Sequence, residues 1–237
     1  MKFSYEKTPK SESENHEADL DRVRQVRENI LSDLSSLERE KSVAEIEIIN
    51  NVNDATTRIM ERYAVPAINA EDAIVRIIPE NNWPGGGAFS SRKDEVIVVP
   101  EQVDLNKLKF ILTHEMFHFK GVNWLPTLIT EAIVEKLTNE ALNIDNSAIT
   151  GIKVFDGVFT YDEYRKTFDS LIEKIVQHTQ GKSDFRHIFS FFARAHLSGD
   201  GRQLLFLDEA FGPGTFVKMD ELSDNFQEVS RFIESLE

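Results

Sequence analysis

The chain contains no cysteine. That excludes disulfides, thiol nucleophiles and thiolate metal ligands together, so any metal must be held by His, Asp or Glu. Basic residues are scarce: 27 stand against 41 acidic ones, for a formal charge of −14. A phosphate backbone would be repelled, and no nucleic-acid partner is expected. Long hydrophobic runs are also missing. Val96-Ile97-Val98-Val99 falls far short of the ~20 residues that span a bilayer, and Met1 to Glu6 lacks the apolar stretch of a secretory signal. A cytoplasmic location with no membrane partner is therefore expected. Glycine and proline are absent altogether between Leu20 and Tyr63, so nothing there interrupts a helix.

What is present is a 41% apolar content with 17 Phe in 237 residues, enough for one packed domain or a domain with an appendage. Residues 1–18 are polar and charge-rich and read as a disordered tail. Residues 19–64 carry apolar stripes at helical spacing, Val23, Val26, Ile30, Leu34 and Leu37, then Ile48, Val52, Ala55 and Ile59. They predict one long helix or a helical pair, broken near Arg39-Glu40-Lys41 and packed on the rest. Pairing with another chain or covering a cleft are the alternatives. From residue 65 the period changes. Ala73 to Ile78 reads as a strand, and Gly87 to Ser90 with Glu95 to Val99 as a hairpin around Ser91–Asp94. Beyond Asp104 the pattern is mostly helical. The expected fold class is α+β: a small, mostly antiparallel sheet with an edge strand over a helix, and a helical C-terminal half within a domain spanning 65–237.

Asp104 is a good N-cap, and the helix it opens closes at Gly121. Inside lies His114-Glu115-Met116-Phe117-His118. Imidazoles at i and i+4 leave one helix face at a separation that a single zinc ion bridges. Glu115, pointing to the side, is placed to take a proton from the water that zinc would activate. A third ligand must be found. Trp124 stands where one class of zinc peptidase has a third His, and indole has no lone pair to offer. Glu131 and Glu135, one turn apart in Thr127 to Glu135 behind Pro126, are the remaining candidates. They are flanked by Leu128, Ile129, Ala132 and Ile133, beside which a carboxylate is costly unless a cation meets it.

His114-Glu115-x-x-His118 followed by Thr130-Glu131-Ala132-Ile133-Val134-Glu135 resembles the gluzincin, or thermolysin-like, zinc metallopeptidases. The resemblance runs from about Asp72 to Leu142. It implies one Zn2+ per chain on His114, His118 and Glu131, with Glu135 hydrogen-bonding His114 to fix its orientation. Glu115 would be the general base, and a peptide or protein the substrate. Ala88-Phe89 is similar to the edge strand on which these enzymes lay substrate backbone, so Gly87, Ala88 and Phe89 are expected to bind substrate. The family's second proton donor, often Tyr or His, would correspond here to Tyr161 or Tyr164, in the first turn of a helix capped at Thr160, or to His187 or His196. The chain departs from the family pattern in four places: Thr130 for Asn, Val134 for Ser, Glu135 for Asp and Gly87 for the edge-strand Asn. Only 12 residues separate His118 from Glu131, which calls for a tight turn. Glu135 as the ligand in place of Glu131 is the alternative within this reading. A non-catalytic interaction protein with a structural zinc is the alternative to it. Oligomeric state is not indicated by the sequence.

Overall fold

The computed structural model describes residues 24–66, 73–83, 88–122, 124–144, 161–179, 182–222 and 226–236; the side chains of Tyr161, Asp162 and Asp220 lie outside that description, as does the expected tail at 1–18. Helix α1 runs over 24–32, and α2 is the single turn Leu34–Leu37. The break expected near Arg39 is there, at residues 38–42. Ser42 then opens α3 (Val43–Arg62) with a reciprocal capping box: the Glu45 N–H donates to the Ser42 hydroxyl, and the Ser42 N–H to the Glu45 carboxylate at 2.7 Å. Arg39 fixes the break from three sides. Its guanidinium donates to both Glu45 oxygens, at 3.0 and 2.6 Å, and to Glu101 at 2.7 Å.

The sheet contains β1 (Ile74–Ile78), β2 (Phe89–Ser91) and β3 (Val96–Pro100) in the order β1-β3-β2. The expected hairpin is β2–β3, antiparallel, with Phe89 opposite Val98. The expectation of a mostly antiparallel sheet is corrected: β1 pairs with β3 in parallel over Ile74↔Val96 to Ile78↔Pro100. The sheet is mixed, and its longer pairing is the parallel one. Central β3 is buried on both faces, which accounts for the unbroken Val96-Ile97-Val98-Val99 run. The hairpin alone is a local feature, and its alternation does not tell β1 which edge of β3 to join.

The two faces of the sheet are covered by different segments. Val75, Ile77, Ile97 and Val99 pack with Val52 of α3 and with Leu108, Leu112, Met116 and Phe119 of α4 (Leu105–Lys120). Ile78, Phe89, Val96 and Val98 pack with Ile30 of α1, flanked by Val26, Leu34 and Leu37. Both N-terminal stripes thus lie on the chain's own core. A third cluster joins Ile59, Met60 and Tyr63 of α3 to α5 (Thr127–Leu142), α6 (Tyr161–His178) and α7 (Phe185–Ser198). The short helices α8 (Phe206–Phe211) and α9 (Thr215–Asp220), with α10 (Phe226–Ser235), complete its far side.

Candidate metal centre

Helix α4 begins as the sequence predicts, with the Asp104 carboxylate accepting from the Asn106 N–H at 2.9 Å. It ends on Lys120 and Gly121, and both ends of the chemistry depend on how that terminus is held. Lys120 is fully buried, and its ammonium donates to Asn53 Oδ1 at 2.9 Å, Thr56 Oγ1 at 2.8 Å and Thr57 Oγ1 at 3.0 Å, with Asn53 O at 3.3 Å. Burial lowers its pKa to about 8, against the pull of Asp54. On the other side, His196 of α7 donates Nε2–H to Phe117 O at 3.3 Å, and its carbonyl accepts the Val122 N–H at 2.8 Å. Trp124 Nε1 donates to Ala195 O at 3.3 Å. The C-terminal turn of α7 therefore straps the connection between α4 and α5. This is how the 12 residues between His118 and Glu131 turn the chain back tightly enough to bring Glu131 to the histidines.

The three expected ligands converge. His114 Nε2 and His118 Nε2 are 3.1 Å apart, and Glu131 Oε2 lies 3.2 Å from the first and 3.3 Å from the second. Donors held ~2.0–2.1 Å from one zinc ion at tetrahedral angles stand about 3.3–3.4 Å apart. The triangle of donors matches that edge length on all three sides, so the residues present fit zinc. Among the described residues this is the one group of three or more His, Asp or Glu side chains close enough together to hold a metal. Burial pulls the Glu131 carboxyl upward, but the charge of His118 and hydrogen bonds from both imidazoles outweigh it and hold the pKa well below the ordinary value. Glu131 thus faces the two imidazoles as an anion.

Glu115 sits beside this triangle, itself buried. Burial raises its pKa, with His118 and His114 opposing and Glu131 adding to the rise; Arg27 also lowers it. Two shallow clefts, lined chiefly by residues of α3 and the start of α4, include none of these groups. The chemistry is placed by the convergence of donors.

Other expected residues fare differently. Glu135 is buried one turn beyond Glu131, but it accepts no hydrogen bond from His114 Nδ1. Its Oε1 instead faces Arg165 Nη1 at 3.9 Å. Tyr164 is buried and stacks on Phe226 at 5.4 Å. His187 is exposed and sits edge-on to Phe191 at 5.0 Å. His196 stands edge-on to His118 at 6.4 Å, fully buried. Burial, with the charge of His118, lowers its pKa to about 3. It is neutral, its one ring proton is on Nε2 and is donated to Phe117 O, and it has none to give an oxyanion. Tyr161 opens α6, and its phenol falls outside the described residues, as does Gly87. Ala88 and Phe89 lie at the sheet edge, Phe89 with its ring buried and Ala88 packed toward the α4 side. Sequence reasoning missed the fixing roles of Lys120 and His196. The one available signal was a lysine directly after Phe119 on a helix face that is otherwise apolar. Among protein families, curated proteins and solved structures, nothing matches this chain.

Proposed function

We propose that the chain is a zinc-dependent metallopeptidase of gluzincin type that hydrolyses peptide or protein substrates. The observation that carries this reading is the triangle of His114 Nε2, His118 Nε2 and Glu131 Oε2, with separations of 3.1, 3.2 and 3.3 Å, next to the buried carboxylate of Glu115. Zinc bound there would supply Lewis acidity toward a carbonyl oxygen and toward water. Glu115 does the proton work: its carboxylate takes a proton from the attacking water and returns it to the leaving amine. A carboxyl raised by burial is the better base for the first step and still acidic enough for the second. At the edge of the sheet β2 is open to an added strand among the described residues, and a peptide lying there gains main-chain hydrogen bonds without regard to its side chains. Tyr161, Tyr164 and His187 are the candidates for the second proton donor, since His196 already donates its ring N–H to Phe117 O.

The test has two readouts. Elemental analysis of the purified chain should give one zinc per chain. A quenched fluorescent peptide library should be cleaved by the wild type and left intact by Glu115→Gln with its zinc retained. Zinc at full occupancy with no cleavage of any peptide would overturn the catalytic reading in favour of a structural site.

A further inference from the structure

Helix α5 begins without a side-chain cap. Its N-cap is Pro126, whose ring has no oxygen to offer, so other groups must set the path of the chain into the helix. The Pro126 carbonyl accepts the N–H groups of Ile129 at 2.9 Å and Thr130 at 3.0 Å. One carbonyl further back, Leu125 O accepts the Thr130 hydroxyl at 3.1 Å in a buried hydrogen bond. Two other buried helical threonines bond differently. The hydroxyls of Thr56 and Thr113 donate to the carbonyls of Val52 and Lys109, four residues back and within their own helices, the ordinary local bond of a helical threonine. Thr130 reaches out of its helix and ties it to the turn that precedes it.

The next residue is Glu131, whose Oε2 stands 3.2 Å from His114 Nε2 and 3.3 Å from His118 Nε2. Both histidines ride on α4, and Glu131 is the donor that α5 brings to them. The triangle therefore closes only if α5 keeps its rotation about its own axis. A side-chain atom about 5–6 Å from a helix axis moves by about 1 Å for ~10° of rotation. Functional donors have to be held to within about 0.5 Å, which leaves α5 a freedom of about 5°. The apolar contacts of Leu128, Ile129 and Ala132 press the helix onto the core, but such contacts are non-directional. Hydrogen bonds are directional and fix the angle. At the far end of α5 that bond runs from the Tyr63 hydroxyl to Glu140 at 2.8 Å. At the Glu131 end it is the bond from Thr130 to Leu125 O. Thr130 is itself no member of the donor group, so it acts through its neighbour.

Resting on the zinc site of that reading and not on peptide hydrolysis, we propose that Thr130 is the positioning residue of Glu131. Its hydroxyl, held on Leu125 O, sets the rotation of α5 at which the carboxylate reaches both histidines. The experiment compares two pairs of side chains that differ by the hydroxyl, the wild type with Thr130→Val and Thr130→Ser with Thr130→Ala. Zinc affinity is read by competition with a chromophoric chelator, and the stability of each metal-free protein by urea melts. Loss of the hydroxyl should weaken zinc binding by roughly 10-fold in both pairs, the lower end of the range for groups that act on a metal through its ligand. Thr130→Ser should keep the wild-type affinity although it loses a buried methyl and some stability. With Co2+ in place of zinc, the visible absorption of the tetrahedral ion should change in Thr130→Val and Thr130→Ala and stay as in the wild type in Thr130→Ser. A purely structural threonine would lower metal-free stability and leave affinity and spectrum alone, and that result overturns the proposal. So does an affinity that falls equally in Thr130→Ser and Thr130→Ala. If Thr130→Val does not fold, the comparison of Thr130→Ser with Thr130→Ala decides alone. A wild-type chain that binds no zinc overturns the metal site and this role with it, whereas one that binds zinc and cleaves no peptide sinks the peptidase reading and leaves the role of Thr130 to the affinities.

Discussion

Gly121→Ala is the sharpest test of how α4 is held. Gly121 has φ −83 and ψ 178, extended backbone that any residue adopts, so alanine meets no backbone strain there. On chain entropy alone the change would stabilise by about 0.4–1 kcal/mol. The structure predicts the opposite sign, because the new Cβ would fall 2.2 Å from His196 Nε2, 2.5 Å from Cε1 and 2.8 Å from Cδ2. The ring is fully buried and is tied to Phe117 O, while its backbone carbonyl holds Val122. It has nowhere to move without breaking that bond. Overpacking costs about 1–3 kcal/mol, and a buried carbonyl left without its donor adds about 1–3 kcal/mol. Less the entropic gain, the net loss is about 1–5 kcal/mol, or a fall of roughly 2–20 °C in melting temperature for a chain of this size. His196→Ala should itself destabilise by about 2–4 kcal/mol through the cavity and the lost bond. In the double variant the clashing ring is gone and the Cβ enters its space, so the two losses should fall short of additivity by about 1–3 kcal/mol. Urea melts of the four proteins, with zinc and with chelator, measure the cycle. Zinc affinity should follow the same order, since His118 stands edge-on to the displaced ring at 6.4 Å. Gly121→Ala as stable as the wild type, or additivity within about 0.5 kcal/mol, would refute the strap.

Chelation should lower the melting temperature, since zinc bound only by the folded chain at 100 times its Kd contributes about 2.7 kcal/mol; an unchanged melt after verified zinc removal would count against the site. Glu131→Ala should abolish zinc binding by equilibrium dialysis. Glu135→Ala should keep full stoichiometry, because its carboxylate faces Arg165 and not His114; the reverse result would exchange the two roles. In metal-free protein, stability should fall as pH drops below ~6.5 by up to about 1.4 kcal/mol per unit. His196 takes a proton near 6.5 when unfolded but only at about 3 when folded, so the unfolded chain binds more protons across that window. Glu45, lowered to about 2 by the Arg39 hydrogen bond, adds a second loss as pH falls from about 4.5 through 2. His196→Gln should flatten the first slope and Glu45→Gln the second in urea melts at stepped pH. Deleting residues 1–37 should leave Ile78, Phe89, Val96 and Val98 bare and produce an aggregating protein, measured by light scattering; a soluble monomer would show that α1 and α2 do not cover that face in solution.

The features legible in the sequence are those set by near neighbours along the chain. His114 and His118 share a face because a helix repeats every 3.6 residues, and Asp104 and Gly121 mark its ends by local capping chemistry. The break at 38–42 followed from the change of apolar stripe, and the β2–β3 hairpin from a short turn between two apolar runs. The place of Glu131 beside both histidines was legible from its motif and from the cost of a carboxylate among Leu128, Ile129 and Ala132. What only the tertiary structure decided are relations between distant segments. The edge of β3 that β1 joins depends on the route the chain takes after Ile78, which no local pattern encodes. Glu135 meets Arg165 of α6, thirty residues on. Lys120 and His196 hold α4 through partners more than sixty residues away, and Arg27 meets Phe89 across a similar span. Sequence periodicity specifies which face of an element is apolar; which other face it meets is fixed only when all the elements pack at once.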